Sequence, residues 1–343
     1  VLLSRLESVL ADRGIGALAA RLAELRVWID EDLREVESEL HRFDRRETPL
    51  HRSADHLLAL EGKRLRPLCL IFAARTGTGF SPAVRDLGVA VELVHSATLL
   101  HDDVVDLGDK RRGIDAARVI YGNAASIYAG DWLLVEALRR VRLAGMPELL
   151  DSVLGVLKRM LEAEGLQLHN RGRISASMGD YFSVVEGKTA SLFQWALMAG
   201  GRAGGIDADG CEALGQYGLR LGVAFQLVDD VLDLAGDPDK VGKSLFTDLR
   251  EGKMTCPLLL AIERQPSLRD LLQQSCATEG LTRDASVESA VARAMRDTGA
   301  LTDSVRMAQE NASAAVEQLR RLPPGPAIEA LQHIALTVVQ RTA

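Results

Sequence analysis

Apolar residues recur at intervals of three and four along most of the chain. In LESVLADRGIGALAARLAELRVWIDEDLREVESEL (6–40) the spacing persists around one glycine-containing break. That is the period of helices with one face turned to a core. The same period runs through AVELVHSATLLHDDVVD (90–106), YGLRLGVAFQLVDDVLDL (217–234) and AIEALQHIALTVVQR (327–341). Strict alternation, the mark of a half-buried strand, is rare. Pro67, Pro147, Pro257, Pro323, Pro324 and Pro326 fall at segment edges, where they punctuate helices rather than hairpins. Polar breaks near 106–115, 200–211, 235–243 and 275–286 are too short and too mixed in composition to be domain linkers. The pattern predicts an all-α chain, one domain over 1–343 with N-terminal helices over 1–45.

Composition narrows the class. With 343 residues, 47% of them hydrophobic, the chain can bury a large core. A net charge of −7 gives no support to a nucleic-acid partner. The four cysteines, Cys69, Cys211, Cys256 and Cys276, lie far apart without a CxxC pair. This argues against a zinc site or a disulfide framework and fits a reducing, cytoplasmic setting. The longest apolar runs, such as LCLIFAA (68–74), fall short of the about 18–20 residues that a transmembrane helix needs. No secretory signal is legible.

One chemical feature occurs twice. Apolar helical sequence leads into DDVVD at 102–106 and again into DDVLD at 229–233. On a helix the first and last aspartates of each motif share a face, one turn apart, and the second sits about 100° round. Like charges at this spacing oppose helix formation, and a position near the C-terminus sets them against the helix dipole. Gly108 and Gly236 are the expected helix stops. A bound cation removes the penalty. All-oxygen ligand pairs suit Mg²⁺, which keeps several waters and is completed by substrate phosphates.

The basic residues complement the acids. EGKRLRP (61–67) gathers Lys63, Arg64 and Arg66; Arg111 and Arg112 follow the first acid cluster. Lys188 and Thr189 stand in EGKTASLF, while Lys243 and Lys253 follow the second cluster in KVGKSLFTDLREGKMTCPLL. Arg and Lys are the usual phosphate partners. Acid clusters for metal and several separate basic sites imply a ligand with multiple phosphates, or two such ligands. Arg64 has the weakest claim, as a solvated cation.

The segments GKRLRP, LVHSATLLHDDVVDLGDKRRG, YGNAASIYAGDWLL, EGKTASLF, FQLVDDVLD and GKSLFTDLREGKMTCPLL stand in the order of the trans-isoprenyl diphosphate synthases, or polyprenyl synthetases. The chain resembles that family over about 60–260, most of all its bacterial long-chain members. The resemblance implies an antiparallel helix bundle around a deep central cavity, a homodimer, and head-to-tail condensation. An allylic diphosphate ionises, isopentenyl diphosphate attacks, and a proton is lost, with pyrophosphate as the expected base.

It also implies residue roles. Asp102, Asp103 and Asp106, with Asp229, Asp230 and Asp233, hold three Mg²⁺ ions. Arg111, Lys188, Thr189, Gln226, Lys243 and Lys253 bind the allylic diphosphate, and Lys63, Arg66, His95 and Arg112 that of isopentenyl diphosphate. Val94, Ala97 and Thr98 are expected to set chain length. They lie one and two turns before Asp102, each turn rising about 5.4 Å, close to one extended isoprene unit. None is a bulky plug, so products of more than about twenty carbons are expected, about six to nine isoprene units by likeness to the long-chain members. Three alternatives remain: a shorter-chain synthase, a class I terpene cyclase, and a non-catalytic partner subunit. The second complete DDxxD and the basic set Lys63, Arg66 and Arg112 weigh against the last two.

Overall fold

The structure is a computed structural model. It describes residues 16–42, 46–60, 62, 64–174, 177–235, 245–275 and 285–340. In chain order the first helices are α1 (Gly16–Leu40), α2 (Pro49–Leu58), α3 (Leu65–Arg75) and α4 (Pro82–Val105). Two short strands follow, β1 (Lys110–Arg111) and β2 (Ile114–Asp115), and then α5 (Ala117–Tyr121), α6 (Asn123–Leu143) and α7 (Pro147–Asn170). Helix α8 (Met178–Val184) runs through a π-helical turn (Val185–Ala190) into α9 (Ser191–Ala203), followed by α10 (Ala208–Ala235). The rest is α11 (Thr247–Arg250), α12 (Cys256–Arg264), α13 (Pro266–Ser275), α14 (Ala285–Asp297), α15 (Ala300–Gln318) and α16 (Pro326–Gln340).

The all-α expectation holds. The prolines act as helix starts: Pro67, Pro147, Pro257 and Pro326 lie in the first turns of α3, α7, α12 and α16, where a missing N–H costs nothing. One element was not expected. Residues 110–115 form an antiparallel hairpin whose two central residues, Arg112 (φ 53) and Gly113 (φ 85), are both left-handed, as in a type I′ turn. Among the described residues no helix is long and apolar enough to cross a membrane. Cys69, Cys211 and Cys256 are free, buried thiols; Cys276 lies outside the described residues.

The chain folds into two compact units. The first comprises Val1–Leu154, Gln194–Gly215 and Gln318–Ile334. Its hub is α4, which packs on α6, α3, α1, α2 and α5. Leu87, Val89, Ala90, Val91, Leu93, Val94 and Ala97 of this helix are fully buried. Two acids buried in it need partners, because an unpaired buried charge is costly. Asp86 accepts from Arg140 Nη1 at 2.8 Å, and Glu92 accepts from Arg64 Nη1 at 2.7 Å. Arg64 also donates to Glu37 and to the Leu58 carbonyl, and its side chain is only 11% exposed. It is a structural tie, not a solvated cation.

The second unit comprises Gly155–Phe193, Gln216–Glu317 and Ala335–Ala343. Its core gathers Leu249, Leu258, Ile262, Leu272, Val291 and Met295, where α12, α13 and α14 pack on one another. The π turn is pressed between α7 and α10. A Cβ at Gly187 would lie 2.6 Å from Ala163 Cβ, and one at Gly222 would lie 2.5 Å from Ala190 Cα. Glycine at both positions lets the backbones approach.

Candidate active site

The first acid cluster ends α4. Asp102 and Asp103 occupy its last turn, and Asp106 caps it. The next residue, Leu107, is left-handed (φ 54). Its N–H reaches the Val104 carbonyl while the Gly108 N–H reaches the Asp103 carbonyl. This is a Schellman ending in which leucine takes the place glycine usually holds; the expected stop, Gly108, comes one residue later. Asp103 is 3% exposed and is gripped by Arg111 Nε and Nη2. Asp102 and Asp106, one turn apart, are less buried.

The same unit holds a basic cluster. Burial and the charges of Arg66, Arg112, Arg111 and Arg64 push the His95 pKa well below the ordinary histidine value. The imidazole is therefore neutral at pH 7, with one N–H to donate. The guanidinium nitrogens of Arg64 and Arg112 both come within 3.2 Å of where a Cβ on Gly62 would stand. Burial and repulsion from Arg64 and Arg111 lower the Arg112 pKa. Convergent guanidiniums of this kind favour an anion. Arg112 is held in place by a bond to the Leu60 carbonyl, 2.9 Å. Lys63 lies outside the described residues.

The second unit carries a cleft of about 130 Å³ lined by Tyr181, Lys188, Thr189, Gln226, Asp230 and Lys253, among others. The π turn supplies Lys188 and Thr189, and α10 supplies Gln226 and Asp230 one turn apart. π turns are frequent at functional sites. The Ser191 hydroxyl satisfies the Gly187 carbonyl at 2.6 Å. Lys188 Nζ donates to Glu164 and, at 3.1 Å, to Gln167 Oε1. Lys253 Nζ bonds Glu251 at 2.6 Å and lies 3.9 Å from Asp248. Lys243 lies outside the described residues.

The three aspartates of the second motif differ. Asp233 accepts from the backbone N–H groups of Thr247 and Asp248 at 3.1 and 3.2 Å, capping α11. Asp230 is 2% exposed and accepts from Gln226 and from Tyr181. Burial, reinforced by the charge of Asp248, pushes its carboxyl up to about 7 against these bonds. Asp229 is partly buried on the same helix. Sequence reasoning missed Tyr181, Glu164 and Gln167. Only the seven-residue step from Tyr181 to Lys188, two helical turns, hints at Tyr181.

Among the described residues no three of His, Cys, Asp and Glu form a ready-made metal cage. The donor set still fits a hard cation. Asp102 and Asp106 offer only oxygen at the unfavourable end of a helix dipole. An ion that retains water and is completed by phosphate suits a site of so few protein ligands. Val94 and Ala97 are fully buried on α4, and Thr98 turns its hydroxyl back to the His95 carbonyl at 2.8 Å.

The chain is similar to known proteins in sequence and in fold. The polyprenyl synthetase family profile matches residues 47–294. The octaprenyl diphosphate synthase of Escherichia coli (strain K12) is 36% identical over 280 residues, 82% of this chain and 86% of that protein. Component 2 of the heptaprenyl diphosphate synthase of Geobacillus stearothermophilus is 30% identical over 322 residues, 94% of this chain and 99% of that protein. The polyprenyl synthase of Caulobacter crescentus CB15, whose crystal structure is a complex with calcium and isoprenyl diphosphate, superposes with a TM-score of 0.86. It is 34% identical, over 93% of this chain and 97% of that one. With its motifs in order and its fold of the isoprenoid synthase type, the chain belongs to the polyprenyl synthetase family.

Proposed function

We propose that this polyprenyl diphosphate synthase condenses isopentenyl diphosphate with an allylic diphosphate through two groups of residues. Lys188, Thr189, Gln226 and Lys253 bind the allylic diphosphate, with Arg111 and Lys243. Arg66, His95 and Arg112, with Lys63, bind the diphosphate of isopentenyl diphosphate. The observation that carries this is the cleft on which Lys188, Thr189, Gln226 and Lys253 meet, although up to 65 residues separate them in the chain. The ammonium groups of Lys188 and Lys253 and the Gln226 amide form a donor set for phosphate oxygens, and the Thr189 hydroxyl orients that amide. In the other group a neutral histidine among arginines supplies hydrogen bonding without adding a further charge.

The two acid clusters are read as holding divalent ions, Mg²⁺ by the hardness of their donors. Asp102, Asp106 and Asp229 are the proposed principal ligands. Bound there, the metal neutralises charge that develops on the departing pyrophosphate. Asp103 fixes Arg111 beside that charge, and Asp233 fixes the chain at 246–248 leading to Lys253. Lys188, held by Glu164 and Gln167, would stabilise developing charge as a preorganised cation does.

Chain length is assigned to α4. Val94 and Ala97 are small or medium side chains on the helix that ends in the first acid cluster. Neither is bulky enough to plug a tail's path along α4, and products longer than about twenty carbons follow if the tail takes that path at one turn per isoprene unit. The assembly is read as a homodimer through α5 and α6. Ile120, Tyr128 and Val135 on these helices are 48, 61 and 67% exposed, large apolar side chains of the kind an interface covers.

Two variants test the substrate groups. Lys188→Ala is expected to raise the allylic KM about tenfold or more, and Arg66→Ala the isopentenyl KM, each losing a charge-assisted contact of about 1.5–3 kcal/mol. Equal rises of both KM values in both variants would refute the division.

A further inference from the structure

The second motif aspartate of α10, Asp230, has both carboxylate oxygens engaged by the protein. Tyr181 donates its phenol O–H to Oδ2 at 2.7 Å. Gln226 donates Nε2–H to Oδ1 at 2.9 Å. The Cys256 N–H approaches Oδ2 at 3.5 Å. Asp230 is 2% exposed and Tyr181 8%.

This arrangement decides which way Gln226 faces. A glutamine amide has two ends of nearly equal size and opposite chemistry, a double acceptor and a double donor. Only the NH₂ end can face a carboxylate oxygen that accepts. The Oε1 end then points to Thr189, whose hydroxyl donates to it at 3.0 Å. The second N–H of the same NH₂ group is left as the amide's donor for a phosphate oxygen in the cleft, which Gln226 lines. With Asp230 ionised, reversing the amide would set oxygen against oxygen there.

The carboxylate itself has to be held. A buried carboxylate free to rotate would stop dictating the orientation of its neighbour. The phenol of Tyr181 is the donor with good geometry on Oδ2, because the Cys256 N–H is at the limit of hydrogen-bonding distance. The ring of Tyr181 is fixed in turn, buried on α8 with Phe182 edge-on at 5.2 Å between centroids.

We propose that Tyr181 is a positioning residue for the allylic diphosphate: through Asp230 it locks the Gln226 amide with its NH₂ group toward the substrate. Asp230 is then the hub of the chain Tyr181–Asp230–Gln226–Thr189, a role distinct from metal ligation. The inference rests on the assignment of Gln226 to the allylic diphosphate.

The test is a double-mutant cycle in steady-state kinetics with Tyr181→Phe, Gln226→Ala and the combined variant, each checked for folding by its thermal melt. Gln226→Ala tests the underlying assignment and should raise the allylic KM while leaving the isopentenyl KM unchanged. Tyr181→Phe, which removes one oxygen and keeps the ring, should raise the allylic KM about three- to tenfold and spare the isopentenyl KM. In the Gln226→Ala background the same change should have no further effect on the allylic KM, even if it lowers the melting temperature. A purely structural tyrosine would lower the melting temperature and leave the KM values alone, or would add its full effect to Gln226→Ala; either result overturns the positioning role. An allylic KM unchanged by Gln226→Ala overturns both the role and the assignment beneath it.

Discussion

Asp102 carries the largest expected loss of any single side chain. Its carboxylate lies at the unfavourable end of α4 and is the first of the proposed metal ligands. Asp102→Ala should lower kcat at saturating Mg²⁺ about a hundredfold or more, since it removes charge stabilisation worth several kcal/mol. A fall of less than a few-fold in initial rate would remove it from the site. His95 makes a prediction about pH. In the unfolded chain a histidine titrates near about 6.5, whereas in the fold burial and four arginines hold its pKa well below that. As pH falls through about 6.5 the unfolded state takes up a proton that the folded state refuses, so stability is lost on acidification. Urea melts at pH 7.5 and pH 5.5 should show wild type losing more stability between the two than His95→Gln; equal losses would mean that His95 is not held neutral. Much of the candidate site was legible at this scale, because Lys188–Thr189 and the two DDxxD runs are contiguous motifs. Tyr181 and Glu164 were not, since each acquires its role by approaching Asp230 or Lys188 from another helix. Arg64 read as a solvated cation because its partners Glu37 and Glu92 are 27 and 28 residues away.

At the scale of elements, the π turn and α4 matter most. The turn holds Lys188 and Thr189 only if α7 and α10 can press against it. Gly222→Ala would drive a methyl to 2.5 Å from the Ala190 Cα, a backbone atom that cannot swing aside. It should cost about 1–3 kcal/mol in denaturant melts and weaken allylic diphosphate binding together with stability. An unaltered melt would mean that the close approach is slack. On α4, Ala97→Phe should shorten the product sharply, as read by mass spectrometry, because a ring fills the first turn beyond the acid cluster. An unchanged product would send the tail past a different helix. The helices were legible because apolar positions recur every three to four residues over many turns. The π turn was not, because one widened turn shifts that period by a single residue. The 110–115 hairpin has strands of two residues, too short for alternation to register, and its Arg112 occupies a left-handed position that sequence preference gives to Asn or Gly.

For the whole molecule, family membership was legible from the order and separation of the motifs, which chance does not reproduce across 200 residues of chain. The proposed interface was not, because an exposed Val135 looks in sequence like any other helical valine. Light scattering should show a dimer, and Val135→Glu should shift it toward monomer by burying a charge in that interface; a wild-type monomer at micromolar concentration would contradict the assembly. The most direct test of function is mass spectrometry of the products made from farnesyl diphosphate and excess isopentenyl diphosphate, with Mg²⁺ and with EDTA. The expected result is a ladder of polyprenyl diphosphates ending beyond about twenty carbons with Mg²⁺, and no elongation with EDTA. Full elongation in chelator would contradict the metal-dependent mechanism, and a main product of about twenty carbons or fewer would contradict the long-chain assignment.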